Sequence, residues 1–381
     1  MLRDLSHTIV NHILTTAFTL LIALLCCTSG AIAADSPSDD PLDKSTRYAW
    51  ELGLQSLINT EQASRNLSAQ LDLFLAEPSE ASLANVRQEW RNCHQQWQQH
   101  AVWVALAKTQ SRRFAALNRH YFVLDARELQ PGYLDAVQDY PFSGIVNDIS
   151  IVLTADSLRQ QHGLTDPSEV SLGFHALEFL LWGEYGQRSF NDFLPITTIN
   201  AEQNAAGLTT GDLPNNRRRT VLRLVNQVLA DDVQRLRQDW QNPLSPISQT
   251  YLQLPPKMRL EFIQHTAHQL LGSELPDQLL QAIALDRTTH HNQFAGDTLQ
   301  HNLAVLIGLE ALLTQGESPL LSHLGGAAAD PAWSQQLQSL IADLGELIQD
   351  KDGINTAKLS ELLEQLPVLA AALATEKPAA E

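Results

Sequence analysis

Cysteine, methionine, aromatic and basic residues are all scarce in this chain of 381 residues. It has three cysteines, two methionines and 6% aromatics. Two of the cysteines, Cys26 and Cys27, fall in one apolar run near the N-terminus, which leaves Cys93 as the sole thiol further on. A lone thiol forms no internal disulfide, so the core must hold by packing alone. Lys and Arg number 25 against 43 Asp and Glu, a formal net charge of −18. That balance excludes the clustered cations on which nucleic-acid affinity rests, and it works against docking on an anionic membrane. Cationic ligands, metal ions among them, are drawn to such a field. No segment sustains the apolar–polar alternation of a strand. There is no G-x-S-x-G, H-E-x-x-H, Walker loop or dinucleotide fingerprint, and no C-x-x-C-H for covalent haem attachment.

At the N-terminus, a short polar start with Arg3 leads into an apolar run from Ile13 to Cys27 and then into Ala31-Ile32-Ala33. This order of segments predicts a secretory signal over residues 1–33, cleaved after Ala33. The run of about 15 residues is short for a membrane span, which needs about 20. Composition, with Ala, Leu and Gln dominant, points to a bacterial periplasmic protein. Residues 34–45 read as a polar linker.

Apolar residues then recur at three- and four-residue steps through 46–76, 80–107, 145–160, 167–182, 217–240, 257–271, 276–285, 297–314, 331–349 and 355–374. The pattern predicts an all-α fold of two helix bundles, 46–190 and 217–350. The stretch 191–216, rich in Asn, Thr, Gly and Pro, joins them, and 351–381 forms a C-terminal helix and tail. Four prolines in 241–256 break the long helix before them. Arg217-Arg218-Arg219 opens that helix and reads as solvated.

One helical segment carries the best site candidate. Residues 166–183 read DPSEVSLGFHALEFLLWG. Asp166, Pro167 and Glu169 form a helix-start pattern, and Gly183 a stop. Between Leu172 and Trp182 only His175 and Glu178 are neither apolar nor glycine, so a helix buried on all sides would carry them inside. They stand three apart, on one face. Burying an imidazole and a carboxylate costs several kcal/mol unless they pair or bind something. The pair is therefore either a structural hydrogen bond or part of a site whose nitrogen and oxygen donors suit iron, zinc or copper.

The stretch Gly173-Phe174-His175-Ala176-Leu177-Glu178-Phe179-Leu180-Leu181-Trp182-Gly183 closely resembles the G-x-H-x-x-E signature of the imelysin-like family. Asp125, the Gly132-Tyr133-Leu134-Asp135 stretch and Ser143-Gly144-Ile145-Val146-Asn147-Asp148 are similar to it too. Gly272-Ser273-Glu274-Leu275 and Phe294-Ala295-Gly296-Asp297-Thr298 match its second-half motifs more loosely. The resemblance implies an exported bacterial protein of two helical bundles, with a site between them around His175 and Glu178. Members of the family are described both as metallopeptidases and as iron- or haem-related uptake proteins. The sequence departs from the family pattern in placing His94 near its usual Arg, Ala101 near a usual Glu, and His301 where an Asp is usual.

Further ligand candidates are His94, Glu274, Asp297 and His301. The aromatic–histidine stripe Trp90, His94, Trp97, His100, Trp103 reads mainly as a packed face, and Glu261, His265 and His268 share another face. His290-His291 precedes Asp297 near a helix start. The first expectation is a periplasmic protein that binds a metal ion, iron foremost, or a non-covalent haem-related ligand, working with other periplasmic or membrane iron-uptake proteins. A metallopeptidase built on the same His and Glu is the alternative, and an interaction protein with a purely structural pair is a third.

Overall fold

The computed structural model describes residues 39–284, 290–350 and 354–374. The expected signal segment, with its cleavage position Ala33, lies outside the described residues, as does the tail 375–381.

Helices α1 (Pro41–Ala76), α2 (Glu80–Gln98), α3 (Ala101–Thr109), α4 (Ala115–Asp125), α5 (Ala155–Gln161) and α6 (Gly173–Trp182) make the first half. The second half comprises α7 (Pro214–Gln241), α8 (Pro246–Leu252), α9 (Pro256–Gln269), α10 (Leu275–Gln281), α11 (Thr298–Thr314), α12 (Pro331–Gln349) and α13 (Thr356–Ala372). Short helical turns, Pro131–Leu134 and Ala201–Ala205 among them, connect these elements. A turn of π-helix, Leu270–Glu274, joins α9 to α10. The fold is all-α, and among the described residues no strand forms and no helix is long and apolar enough to cross a membrane. Proline begins α7, α8, α9 and α12, where its missing N–H costs no helical hydrogen bond.

Several boundaries differ from the sequence reading, each for a visible reason. α1 starts inside the stretch expected to be linker, because Asp43 is buried in ion pairs with Arg47 (2.9 Å) and Arg259. The segment 80–107 breaks at His100, whose ring turns inward and is bonded on both nitrogens. The helix expected over 145–160 shrinks to α5. Arg217 collects the carbonyls of Val146, Ile145, Asp148 and Ile151 at 2.6–3.1 Å, and so holds that backbone in turns. Arg217 and Arg218 are therefore not solvated: they are only 5% and 6% exposed. Arg218 pairs with Asp135 at 2.6 Å, and Arg188 closes on the same carboxylate at 2.9 Å.

Every residue of α6 is buried. The helix packs on α2, α4 and α7, while α11 packs on α2, α3 and α12. Helices from the two sequence halves therefore meet directly, and the described residues from Leu42 onward cluster as one compact unit. The expected cap residues Asp166 and Glu169 serve a local turn instead, with Asp166 accepting from Ser168 and Glu169 from Thr165. The helix begins seven residues later, at Gly173.

That glycine explains its own place in the motif. Its φ is +85°, and a Cβ there would lie 2.4 Å from the Leu124 carbonyl oxygen and 2.6 Å from that of Val123. Only the bare backbone lets the start of α6 sit on the end of α4, two residues from His175 and next to Asp125. Gly173→Ala is expected to cost stability through two effects, strained φ and overpacking, each about 1–3 kcal/mol. Urea unfolding checks this, and a loss under about 1 kcal/mol would show that the two helix ends separate easily.

Candidate metal centre

Four buried side chains from four separate parts of the chain converge where the halves meet. His94 comes from α2, Asp125 from the last residue of α4, His175 from α6, and His291 from the segment before α11. One ligand atom from each lies within 4.8 Å of all the others. Asp125 Oδ1 stands 3.0 Å from His175 Nε2 and 3.9 Å from His94 Nε2. The side-chain amide of Gln98 donates to His94 Nε2 at 2.8 Å. Arg127 donates to His291 Nδ1 at 2.7 Å. That leaves His291 Nε2 buried, with no hydrogen-bond partner among the described residues. The His301 ring lies against that of His291, tilted by 31° with centroids 3.5 Å apart.

Glu178 is positioned differently from the sequence expectation. Its Oε1 accepts the backbone N–H groups of Phe294 (2.9 Å) and Ala295 (2.8 Å), and its Oε2 faces His175 Nδ1 at 2.8 Å. Both oxygens are thus engaged, so Glu178 holds His175 and ties α6 to the second half. Asp297 accepts from Asn292 at 2.7 Å and lies 3.5 Å from Arg91. It stands beside the group without joining the convergent set. His301 adjoins the set through His291. Glu274 is exposed and lines the neighbouring cavity, so it is not among the convergent donors. His268 bonds the Ala370 carbonyl at 2.8 Å and fastens α13 to α9.

The electrostatics follow from burial and pairing. Burial alone opposes a charge on His175, but hydrogen bonds to Asp125 and Glu178 outweigh it and raise its pKa to about 9. Burial likewise opposes the charge on Asp125, yet its hydrogen bond with His175 and the nearby His94 ring hold its carboxyl well below the usual range. His291 and His301 are pushed well below an ordinary histidine by burial first; the charges of His301 and Arg127 add to it at His291, and those of His94 and Arg127 at His301. Burial raises Asp297, and the Glu178 charge adds to it. A cavity of about 790 Å³ opens onto the group, with Asp125, His175, His291, Tyr121, Arg127 and Phe294 in its wall.

The donor set fits a transition-metal ion: imidazole nitrogens plus one carboxylate converge on one point, with a second carboxylate behind one imidazole that fixes its orientation. In the sequence Asp125 shows only as part of the resemblance, and His291 only as a neighbour of Asp297. Neither sits in an apolar run that would mark it as buried, and their partners are 50 or more residues away.

The architecture and this buried group define an all-α protein with a His/Asp cluster that could hold a metal. The sequence profile of imelysin matches residues 54–376, so the chain belongs to the imelysin family. Among curated proteins, none matches it in sequence. Two solved structures share the fold. One is a proposed iron-regulated protein A precursor from Parabacteroides distasonis, with TM-score 0.54, 15% identity, and 90% of this chain and 97% of that one covered. The other is an imelysin-like protein from Psychrobacter arcticum, with TM-score 0.58, 17% identity, and 89% and 94% covered.

Proposed function

We propose that this chain is an exported protein that binds a transition-metal ion, iron foremost, through His94, Asp125, His175 and His291. The observation that carries the reading is the convergence of four buried donors within 4.8 Å. Glu178 is a positioning residue in this scheme, orienting the His175 ring through Nδ1 so that Nε2 faces Asp125. A bound cation would supply the positive charge that Asp125 and Glu178 otherwise draw from a proton on His175.

Binding is favoured over peptide hydrolysis because a hydrolytic site needs a base for water. Glu178 has no free oxygen for that task. A bare ion is favoured over haem, because three imidazoles and a carboxylate converging on one point exceed the two axial positions of a porphyrin. The name of the Parabacteroides relative supports iron as the ion, and the −18 charge favours cation capture. Delivery to other iron-uptake proteins of the periplasm or membrane follows from this reading. Export rests on the signal pattern at 1–33, and N-terminal sequencing of the cell-envelope protein is expected to start near Ala34. Intact Met1 would contradict export.

Metal analysis of protein purified without chelators tests the binding. The expected result is about one ion per chain, released with a pH dependence set by His175. In metal-free protein that ring keeps its proton up to a pKa of about 9, and a ligand must shed it. Affinity for Zn(II) or Fe(II) should therefore rise with pH across 6–8 by about tenfold per unit, the signature of one displaced proton. Stoichiometry near zero at saturating metal would end the proposal.

A further inference from the structure

Tyr121 lies on α4 one turn before Asp125 and lines the same cavity as Asp125, His175 and His291. It is 2% exposed. Its hydroxyl is 2.9 Å from His100 Nε2, and His100 Nδ1 is 2.7 Å from the Ser56 hydroxyl, which donates to the Gly53 carbonyl at 2.7 Å. Donor chemistry fixes the direction of this chain. The single hydrogen of Ser56 is directed at Gly53, so His100 Nδ1–H donates to Ser56, and Nε2 remains to accept the phenol proton. Burial holds the His100 pKa at about 3, so that Nε2 lone pair is open at neutral pH.

Behind this pair the oxidisable rings continue. Trp97 stands 5.6 Å from both Tyr121 and His100, and Trp240 stands 4.9 Å from His100. Trp50 stacks on Trp240 at 3.5 Å and 8°, with Tyr251 at 4.9 Å and Trp103 at 5.3 Å from Trp50. Gly53 lets α1 close on them, since a Cβ there would come within 2.6 Å of Trp240 and 2.7 Å of Trp103. Toward the metal-binding group, Trp97 reaches His94 through Phe174, at 5.9 and 5.0 Å. Packing accounts for apolar contact among these rings. It does not account for a polarised proton chain ending in a phenol in the wall of the cavity, nor for the buried Trp97 Nε1, which has no hydrogen-bond partner among the described residues.

We propose that Tyr121 and His100 form a redox-active pair that gives up one electron to an oxidant formed in the cavity, and that the tryptophans behind it carry the hole away from the metal-ligating side chains. The proposal rests on the metal-binding reading for the source of the oxidant: a reduced metal ion held there would give one electron to hydrogen peroxide, splitting its O–O bond into hydroxide and a hydroxyl radical. That radical takes one electron and becomes hydroxide. The phenol O–H bond breaks, and its proton crosses to His100 Nε2. A neutral tyrosyl radical and an imidazolium result. An electron from the Trp50–Trp240 stack then refills Tyr121 while the proton returns to its oxygen. The stack shares the positive charge over two rings until a soluble one-electron reductant neutralises it.

The test uses the full chain in a Tyr140→Phe, Tyr185→Phe background, which removes two exposed tyrosines. In one arm, metal-free protein is oxidised by flash-generated tris(bipyridine)ruthenium(III), and radicals are read by electron paramagnetic resonance. In the other, Fe(II)-treated protein meets hydrogen peroxide, and mass spectrometry maps oxidised histidines. Expected are a tyrosyl signal in both arms, its loss in Tyr121→Phe, and a several-fold rise in oxidation of His94, His175 and His291 in that variant. His100→Gln keeps a hydrogen-bond acceptor but takes no proton, so it should lower the radical yield and abolish its slowing in heavy water. Trp240→Phe should leave the tyrosyl signal and remove the tryptophan-radical absorbance that follows it. A Tyr121 signal in the ruthenium arm alone would keep the pair and fail the metal reading. A signal and a histidine-oxidation pattern unchanged in Tyr121→Phe would overturn the proposal.

Discussion

His175→Ala is expected to lower the affinity for Zn(II) or Fe(II) by about 100-fold or more, since changing even a residue that only orients a ligand typically costs about 10–100-fold. The same change should weaken the metal-free fold. It strips the partner from Asp125 and from one oxygen of Glu178, both buried, and breaking such a pair costs about 3–5 kcal/mol. The pH dependence separates the two effects. A folded pKa of about 9 lies above that of an unfolded histidine, about 6.5, so the His175 contribution to stability is fully present below about pH 6.5 and fades as pH rises through 9. The variant should therefore lie furthest below wild type at pH 6–7 and approach it near pH 10. His291 and His301 act in the opposite sense, because their depressed pKa values take stability away as pH falls below 6.5. Metal-free wild type should thus be most stable near pH 6.5–7 as far as these residues decide it. A variant that binds as tightly as wild type, with unchanged pH dependence, would remove His175 from the site.

Asp135→Ala carries the largest expected effect outside the candidate site. Asp135 is fully buried between Arg188 (2.9 Å) and Arg218 (2.6 Å), so its removal leaves two buried guanidinium groups without their anion. The expected loss is about 3–5 kcal/mol, seen as a lower urea midpoint with an unchanged slope. Burial opposes ionisation of Asp135, but the two arginines outweigh it and lower its pKa. That stabilisation is present above an unfolded aspartate pKa of about 3.9 and is lost as pH falls below it. Asp135→Asn keeps the shape and removes the charge, so it should behave nearly as badly. A loss below about 1 kcal/mol in both would mean that the arginines are held mainly by their carbonyl partners.

What the sequence made legible follows from the kind of signal each residue carries. His175 and Glu178 stood out because their helix is apolar on every side, and a polar residue there must be inside. Asp125 and His291 gave no such sign, since one ends an ordinary amphipathic helix and the other follows a polar stretch. Their role depends on a long-range meeting that Gly173 permits by letting α6 rest on the end of α4. Three consecutive arginines have the pattern of a solvated helix start, which does not hold for Arg217 and Arg218. They are buried because the carbonyls of 145–151 and the Asp135 carboxylate need donors. The same unmet carbonyls explain why 145–160 is mostly not helix. Helical periodicity elsewhere was reliable, since the buried faces of α1, α7 and α11 to α13 follow it directly.

Anomalous diffraction from crystals grown with Fe(II) or Zn(II), recorded at the metal's absorption edge, tests the proposed centre most directly. One peak is predicted among His94, Asp125, His175 and His291, with Glu178 still bonded to His175 Nδ1 and to the Phe294 and Ala295 amides. A peak bound by the Glu178 carboxylate, a peak only on the Glu261/His265/His268 face, or none at saturating metal would contradict it.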